Sequence, residues 1–283
     1  MSENVAPLAS DNLFACARQC LECADPTAKC ELTERVVEAL RAGQLGFESV
    51  DDPQVIGAPG RPVRPHLVAP RNLPRRRLGG TGGRASLLHA LVHIEFNAIN
   101  LAWDAVYRFR DMPEAFYVDW ARVACEEAYH FRMLCERLAD YGHAYGDFDA
   151  HDGLWEMACR TAHDPLVRMA LVPRVLEARG LDVTPGMIQR LEQAGDGPVV
   201  DVLKIILRDE IGHVAIGTRW FRYLCNERDL DPDVTFVRLV QEYMQGRVKR
   251  PFHYAAREKA GFNAVEMEYL ETLATGNRVT HEN

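Results

Sequence analysis

The chain carries long stretches of apolar periodicity near 3.6 residues, interrupted by one stretch with no period at all. Residues 12 to 45 read as one or two short helices, with Asp25-Pro26 as a break and a second start near Leu32-Thr33. Residues 51 to 83 hold six prolines, Pro53, Pro59, Pro62, Pro65, Pro70 and Pro74, which predicts a long extended arm wrapped on the surface. A helix follows from about 84 to 110, with a stripe at Leu87, Leu88, Leu91, Ile94, Ala98, Ile99, Ala102 and Val106, ended by Asp111-Met112-Pro113. A second runs from about 114 to 141 on Phe116, Trp120, Val123, Phe131, Leu134 and Leu138. Beyond a loop rich in Gly, Asp and His comes a short helix near 153 to 162. A helix from about 165 to 180 is next, kinked by Pro173 and closed by Gly180. Thr184-Pro185 has the form of an N-cap and first position of another short helix. A long helix covers about 197 to 227, and two more cover about 233 to 247 and 254 to 275. No alternating strand pattern of useful length appears. The expected class is all-α. N-terminal helices and arm (1–83) pack on a helical bundle (84–230), followed by C-terminal helices and tail (231–283).

Four acidic residues break these stripes. The last long helix reads Val199, Leu203, Ile206, Glu210, His213, Gly217, Leu224, and the second reads Phe116, Trp120, Val123, Glu127, His130, Leu134. Glu95 interrupts Leu91, Ile94, Ala98 and Ile99, and Glu177 completes the stripe of Leu166, Met169 and Pro173. An unpaired carboxylate on a core face costs several kcal/mol or takes up a proton. Four together require positive charge between them, which two metal ions supply. Each Glu-x-x-His pair sets both side chains on one helix face, one turn apart. Glu95 to Glu127 spans 32 residues and Glu177 to Glu210 spans 33, each the distance from mid-helix over a short turn to the same level of an antiparallel neighbour. Two such hairpins joined by a longer step make a four-helix bundle with one Glu from each of two helices and Glu-x-x-His from the other two. Among ten histidines, only His130 and His213 have a glutamate three positions before them. The predicted metal ligands are therefore Glu95, Glu127, His130, Glu177, Glu210 and His213. Carboxylates with two imidazoles and no thiolate suit two iron ions, with manganese or a mixed Mn/Fe pair left open.

Composition narrows the setting. The net charge of −8 argues against general nucleic-acid affinity, although seven arginines between 61 and 84, with no acid among them, form a local basic arm. That arm reads first as a solvated segment docked on an acidic bundle. No run of about 18 apolar residues predicts a membrane span, and the first residues show no export signal, so the expected location is cytoplasmic. Of the eight cysteines, Cys16, Cys20, Cys23 and Cys30 cluster without the paired C-x2-C spacing of a zinc site, and read as small buried apolar residues. His93, two before Glu95, points off the metal face and reads as structural. His151 and Asp152 read as a cap on the following helix, and Tyr129 as packing on a neighbour.

At these residues the chain resembles the ferritin-like superfamily of di-iron carboxylate proteins. More closely, HALVHIEFNAINLAWDAVYRF, EEAYHF, YGDFDAHDGLWE, LVPRVLEARGLDVTP, DEIGHVAIG and RPFHYAAREKAGF together resemble a bacterial family called domain of unknown function 455, over roughly residues 12 to 265. In the oxygenase-like branch of the superfamily, an acid directly before each Glu-x-x-His hydrogen-bonds a histidine on the opposite helix. The resemblance places Glu126 and Asp209 in that catalytic supporting role. His253 stands where this family would lead one to expect Asn, which departs from the pattern in the C-terminal segment.

The site implies an oxidoreductase that activates O2, most naturally to hydroxylate an organic substrate, with a separate reductase as electron donor because no flavin or iron–sulfur motif is present. A modified nucleoside in RNA is one substrate suggested by analogy, since the arginine-rich arm suits it. The alternative is a non-catalytic or ferroxidase-type iron-binding protein. A monomer or dimer favours catalysis, and a large cage favours storage.

Overall fold

The computed structural model describes residues 7–48, 51–73, 80–244 and 248–275. Arg75, Arg76 and Arg77 of the basic arm lie outside these residues. Among the described residues the regular structure is helical, with no strand and two isolated bridges, so the all-α expectation holds. No helix among them is long and apolar enough to cross a membrane. The chain divides into two compact units, Met1–Cys159 and Arg160–Asn283, and the division falls inside the segment expected to form the bundle.

The first unit is built on a helical hairpin. Helix α1 (Leu13–Glu22) starts where Asn12 accepts hydrogen bonds from the backbone N–H groups of Phe14 and Ala15. Helix α2 (Pro26–Arg41) starts at the Asp25-Pro26 break and not at Leu32-Thr33. Asp25 accepts from Ala28 N–H, and Pro26 takes the first helical position, where its missing N–H does no harm. Helices α3 (Thr81–Arg108) and α4 (Glu114–Asp140) form the hairpin itself, closed by the short turn 109–113. Phe96 of α3 meets Phe131 of α4, ring centroids 5.8 Å apart, and Trp103, Phe116, Trp120 and Leu134 are buried on the same two helices. Each such side chain stabilises the fold by about 1.5–3 kcal/mol. Ile94 departs from the predicted stripe. It is 45 % exposed, and Val92 and Phe96 take the buried face instead.

The described part of the arm, 51–73, is tied to α1, to the 141–152 loop and to the helix that follows. Gly60 N–H donates to Leu21 C=O, and a Cβ at Gly60 would lie 2.2 Å from the carbonyl oxygen of Glu22, so only glycine permits that approach. His66 and Val68 bond to Ala150 of the 141–152 loop, Arg61 pairs with Asp152 at 3.1 Å, and Trp155 of helix α5 (Gly153–Arg160) donates to Gly57 C=O. Cys16, Cys20 and Cys30 are buried as expected, while Cys23 is only partly so. Burial lifts the Cys30 thiol to about 12, which keeps it protonated and inert. Lys29, a charge that the periodicity did not single out, is fully buried. Its Nζ donates to the C=O of Cys20 and Leu21 in the last turn of α1, and to Asn100 Oδ1 at 2.6 Å.

The second unit departs most from the sequence reading. Helix α6 (Pro165–Leu171), capped by Asp164, runs into a π-helical turn (Val172–Glu177) and then into α7 (Ala178–Gln193). Gly180 does not close the helix, and Thr184-Pro185 does not begin a new one: Pro185 lies inside α7. The local penalties are about 1 kcal/mol for Gly and about 3 for Pro. Burial of Leu181, Met187, Ile188 and Leu191 along α7 outweighs both. Helix α8 (Gly197–Glu227) matches its predicted span. Helix α9 (Pro232–Met244) follows, and the predicted final helix is two, α10 (Tyr254–Lys259) and α11 (Ala264–Ala274). They are divided where Gly261 adopts φ +90° and Asn263 forms a capping box with Glu266.

Candidate metal centre

The α3–α4 hairpin sets its acidic residues at one level by counting alone. Glu95 lies thirteen residues before Arg108, the end of α3, and Glu127 thirteen after Glu114, the start of α4. His130 follows one turn further along α4. All three are buried, at 3 %, 1 % and 0 % exposure. His130 Nδ1 sits 3.4 Å from Glu127 Oε2 and 3.6 Å from Glu95 Oε2. Both separations exceed a hydrogen bond. They are close to the ~3.0–3.4 Å edges of a coordination shell whose ligands stand about 2.1 Å from one ion. Glu95 Oε2 is buried with no hydrogen bond. Three ligand atoms from Glu95, Glu127 and His130 fall within 4.8 Å of one another, and this buried group could hold a metal ion.

The electrostatics fit that capacity. Burial raises the Glu95 carboxyl to about 8, and the neighbouring Glu127 charge adds to the shift. Burial lowers the His130 ring, but the two flanking carboxylates outweigh it and lift the ring to about 12. Without a cation the cluster neutralises itself with protons. A metal ion taken up here displaces them, so uptake strengthens as the pH rises.

The second unit carries the matching residues. On α8, His213 is buried and its Nδ1 lies 3.9 Å from Glu210 Oε2, one helix turn away. Glu177 is the last residue of the π turn, which packs on α8. Glu177 and His213 each stand sixteen residues from the α7–α8 turn, counted to Gln193 and from Gly197. The close approach of the π turn to α8 is made at Gly217, one turn beyond His213. A Cβ there would lie 2.3 Å from Pro173 Cγ. A π turn was not legible as such, although Pro173 marked the place, and such turns recur at functional sites.

Glu126 and Asp209 directly precede Glu127 on α4 and Glu210 on α8, and both are partly buried. Glu126 is partly exposed and 4.0 Å from Arg122, while Arg208 grips both oxygens of Asp209 at 2.8 and 3.1 Å. Tyr129 is not packed away but 50 % exposed, its ring 6.5 Å from that of His130. His253 N-caps α10.

His93 is structural, as its position predicts. Its Nδ1 lies 2.8 Å from the Tyr145 hydroxyl and its Nε2 3.1 Å from His151 C=O, tying α3 to the 141–152 loop. His151 Nδ1 in turn accepts from Gly153 N–H at the start of α5, and Asp152 C=O accepts from Glu156 N–H. Burial lowers the His93 ring to about 4. The ring is neutral in the folded chain, whereas the unfolded ring binds a proton below about 6.5. Stability from this group is therefore present above about 6.5 and lost as the pH falls toward 4, by roughly 3 kcal/mol. Replacing His93 with Gln should lower stability at pH 7 yet flatten its fall between pH 6.5 and 4 in thermal melts. An unchanged slope would contradict this account.

Fold and cluster together define an all-α protein with a buried carboxylate–histidine group able to take a metal ion. The family model described as "Protein of unknown function (DUF455)" matches residues 22–268, and the chain belongs to that family. It is 44 % identical over 260 residues to a protein of Haemophilus influenzae named "Uncharacterized protein", covering 88 % of this chain and 90 % of that one. No solved structure matches the chain.

Proposed function

We propose that the protein is a di-iron carboxylate oxidoreductase. In this reading the α3–α4 hairpin and the α6–α8 hairpin are halves of one ferritin-like bundle, and Glu95, Glu127, His130, Glu177, Glu210 and His213 hold two iron ions. The observation that carries it is the spacing of Glu95, Glu127 and His130: buried, wider than hydrogen bonds, and close to the edge lengths of a coordination shell. The Glu-x-x-His of α8 and the π-turn Glu177 supply a second set of the same composition.

When bound, the iron pair would supply the redox chemistry that activates O2. Insertion of one oxygen atom into a substrate C–H bond sends the other to water and consumes two electrons and two protons, so a separate reductase completes the reaction. The chain's own residues have distinct tasks. Glu95 and Glu127 hold negative charge in a buried place where it becomes tolerable on cation binding. Glu126 and Asp209 would take an imidazole N–H and fix the tautomer of a ligating histidine. Phe96 and Phe131, 5.8 Å apart beside Glu95 and His130, help keep water out.

Anaerobic ferrous loading followed by O2 exposure, read by stopped-flow absorption and Mössbauer spectroscopy, tests the reading. The expected result is rapid uptake of one O2 per iron pair and the quadrupole doublet of coupled ferric ions. Oxidation no faster than that of ferrous iron in buffer would overturn it. Growth of a mineral containing many irons per chain would establish storage instead.

A further inference from the structure

The second unit carries a partly open cavity of about 80 Å³ beside the π turn that ends in Glu177. Its wall includes Arg174, Arg179, Asp182, Lys249, Phe252 and Arg257. Arg174 and Arg257 are almost completely buried, at 0 % and 3 % exposure. Each is held rigidly, and each has part of its guanidinium left over. Arg174 donates to Thr218 Oγ1 through Nε and to Glu266 Oε1 through Nη2 at 2.6 Å, and its plane lies against the rings of Phe221, Phe236 and Phe262. Arg257 donates to both oxygens of Asp182 through Nε and Nη2, at 2.9 and 2.7 Å. The Nη1 atoms of both arginines are buried with no hydrogen-bond partner.

Two buried guanidinium nitrogens without a hydrogen-bond partner, both on residues of one cavity wall, are an unusual burden. A buried donor without a partner costs about 1–3 kcal/mol, more when charged. The charge count points the same way. Four basic side chains line the wall against the single lining carboxylate of Asp182 and the Glu266 carboxylate behind Arg174, an excess of two positive charges. Arg179 spends its donors on the backbone carbonyls of Lys249, Arg250 and Pro251, which fixes the outer wall. A water molecule can accept from a guanidinium but does not offset net charge. A planar or tetrahedral oxyanion does both, and arginine forks match its geometry.

We propose that this cavity binds a small oxyanion group, a carboxylate or a phosphate, between Arg174 and Arg257, with Lys249 at its mouth. The cavity admits one such group and little more, so the ligand is either a free inorganic ion or the anionic head of a compact metabolite. This site does not depend on the metal reading.

The test uses the full chain without added metal. Calorimetry and thermal melts are run with inorganic phosphate and with succinate, each against chloride at equal ionic strength. The expected result is saturable one-to-one binding of at least one of them and a melting shift that chloride does not reproduce. The arm that binds distinguishes phosphate from carboxylate. Lys249 is exposed, so Lys249→Glu should fold and weaken binding roughly tenfold. Val248→Phe, which fills the cavity from its partly exposed wall, should abolish it. Equal shifts with chloride, no saturable binding of either probe, or unchanged affinity in Val248→Phe would each overturn the proposal and leave a cavity filled by solvent.

Discussion

Protein purified after iron loading is expected to carry about two metal ions per chain, and Glu127→Ala or His130→Ala to lose most of that metal. Both side chains are fully buried on α4, where neither can be replaced by water without opening the core. His213→Ala on α8 should lose metal to a similar degree, because the proposed cluster draws on both Glu-x-x-His pairs. Glu126→Gln and Asp209→Asn should do less, weakening affinity by about 10–100-fold while keeping stoichiometry at saturation. Metal analysis with calorimetric titration separates the two groups. Removing Glu127 also relieves carboxylate crowding around Glu95, whose carboxyl burial and Glu127 together hold high. Full metal content in Glu127→Ala and His213→Ala would dismantle the ligand assignment.

Gly217→Ala is expected to destabilise the second unit, against the usual trend. In an ordinary helix interior this change stabilises by about 1 kcal/mol, because alanine restricts the unfolded chain. Here the new Cβ would stand 2.3 Å from Pro173 Cγ and 2.4 Å from its Cβ. Those atoms belong to a rigid ring within the π turn, so the helices must separate. Overpacking of this kind costs roughly 1–3 kcal/mol and sometimes more, or about 3–10 °C in melting temperature for a chain of this size. The displaced segment ends in Glu177, so iron affinity should fall as well. Pro173→Ala in the same chain should restore part of the stability, since the clash is with the ring. Melts of the two single variants and the double variant measure the coupling directly. A Gly217→Ala protein that melts higher than its parent would refute the close approach.

Much of this protein is written in local signals. The spans of α3, α4 and α8 follow from apolar period and from breaks at Asp111-Met112-Pro113 and near Gly197, because helix formation depends on residues three and four apart. The same locality exposed Glu95, Glu127, His130, Glu210 and His213, since a charged residue on a core stripe stands out without any knowledge of its partners. Glu177 was legible by the same rule, but the π turn that presents it was not.

Tertiary packing decided the rest, and the reason is one of magnitude. Gly180 and Pro185 carry local penalties of about 1 and 3 kcal/mol, which buried Leu181, Met187, Ile188 and Leu191 exceed, so α7 runs on where its sequence suggests a stop. Ile94 reads as core and lies outside, while Val92, Phe96 and Ile99 around it are buried, a rotation that no single helix can specify. Arg174, Arg257 and Lys29 look like surface cations. Their burial rests on Glu266, Asp182 and the carbonyls of α1, partners 92, 75 and up to 9 residues away. The residue types and helical periods are sequence properties. The π turn, the buried arginines and the cavity between them arise only when distant segments are pressed together, because each is unfavourable alone and becomes stable through contacts the neighbouring sequence does not contain.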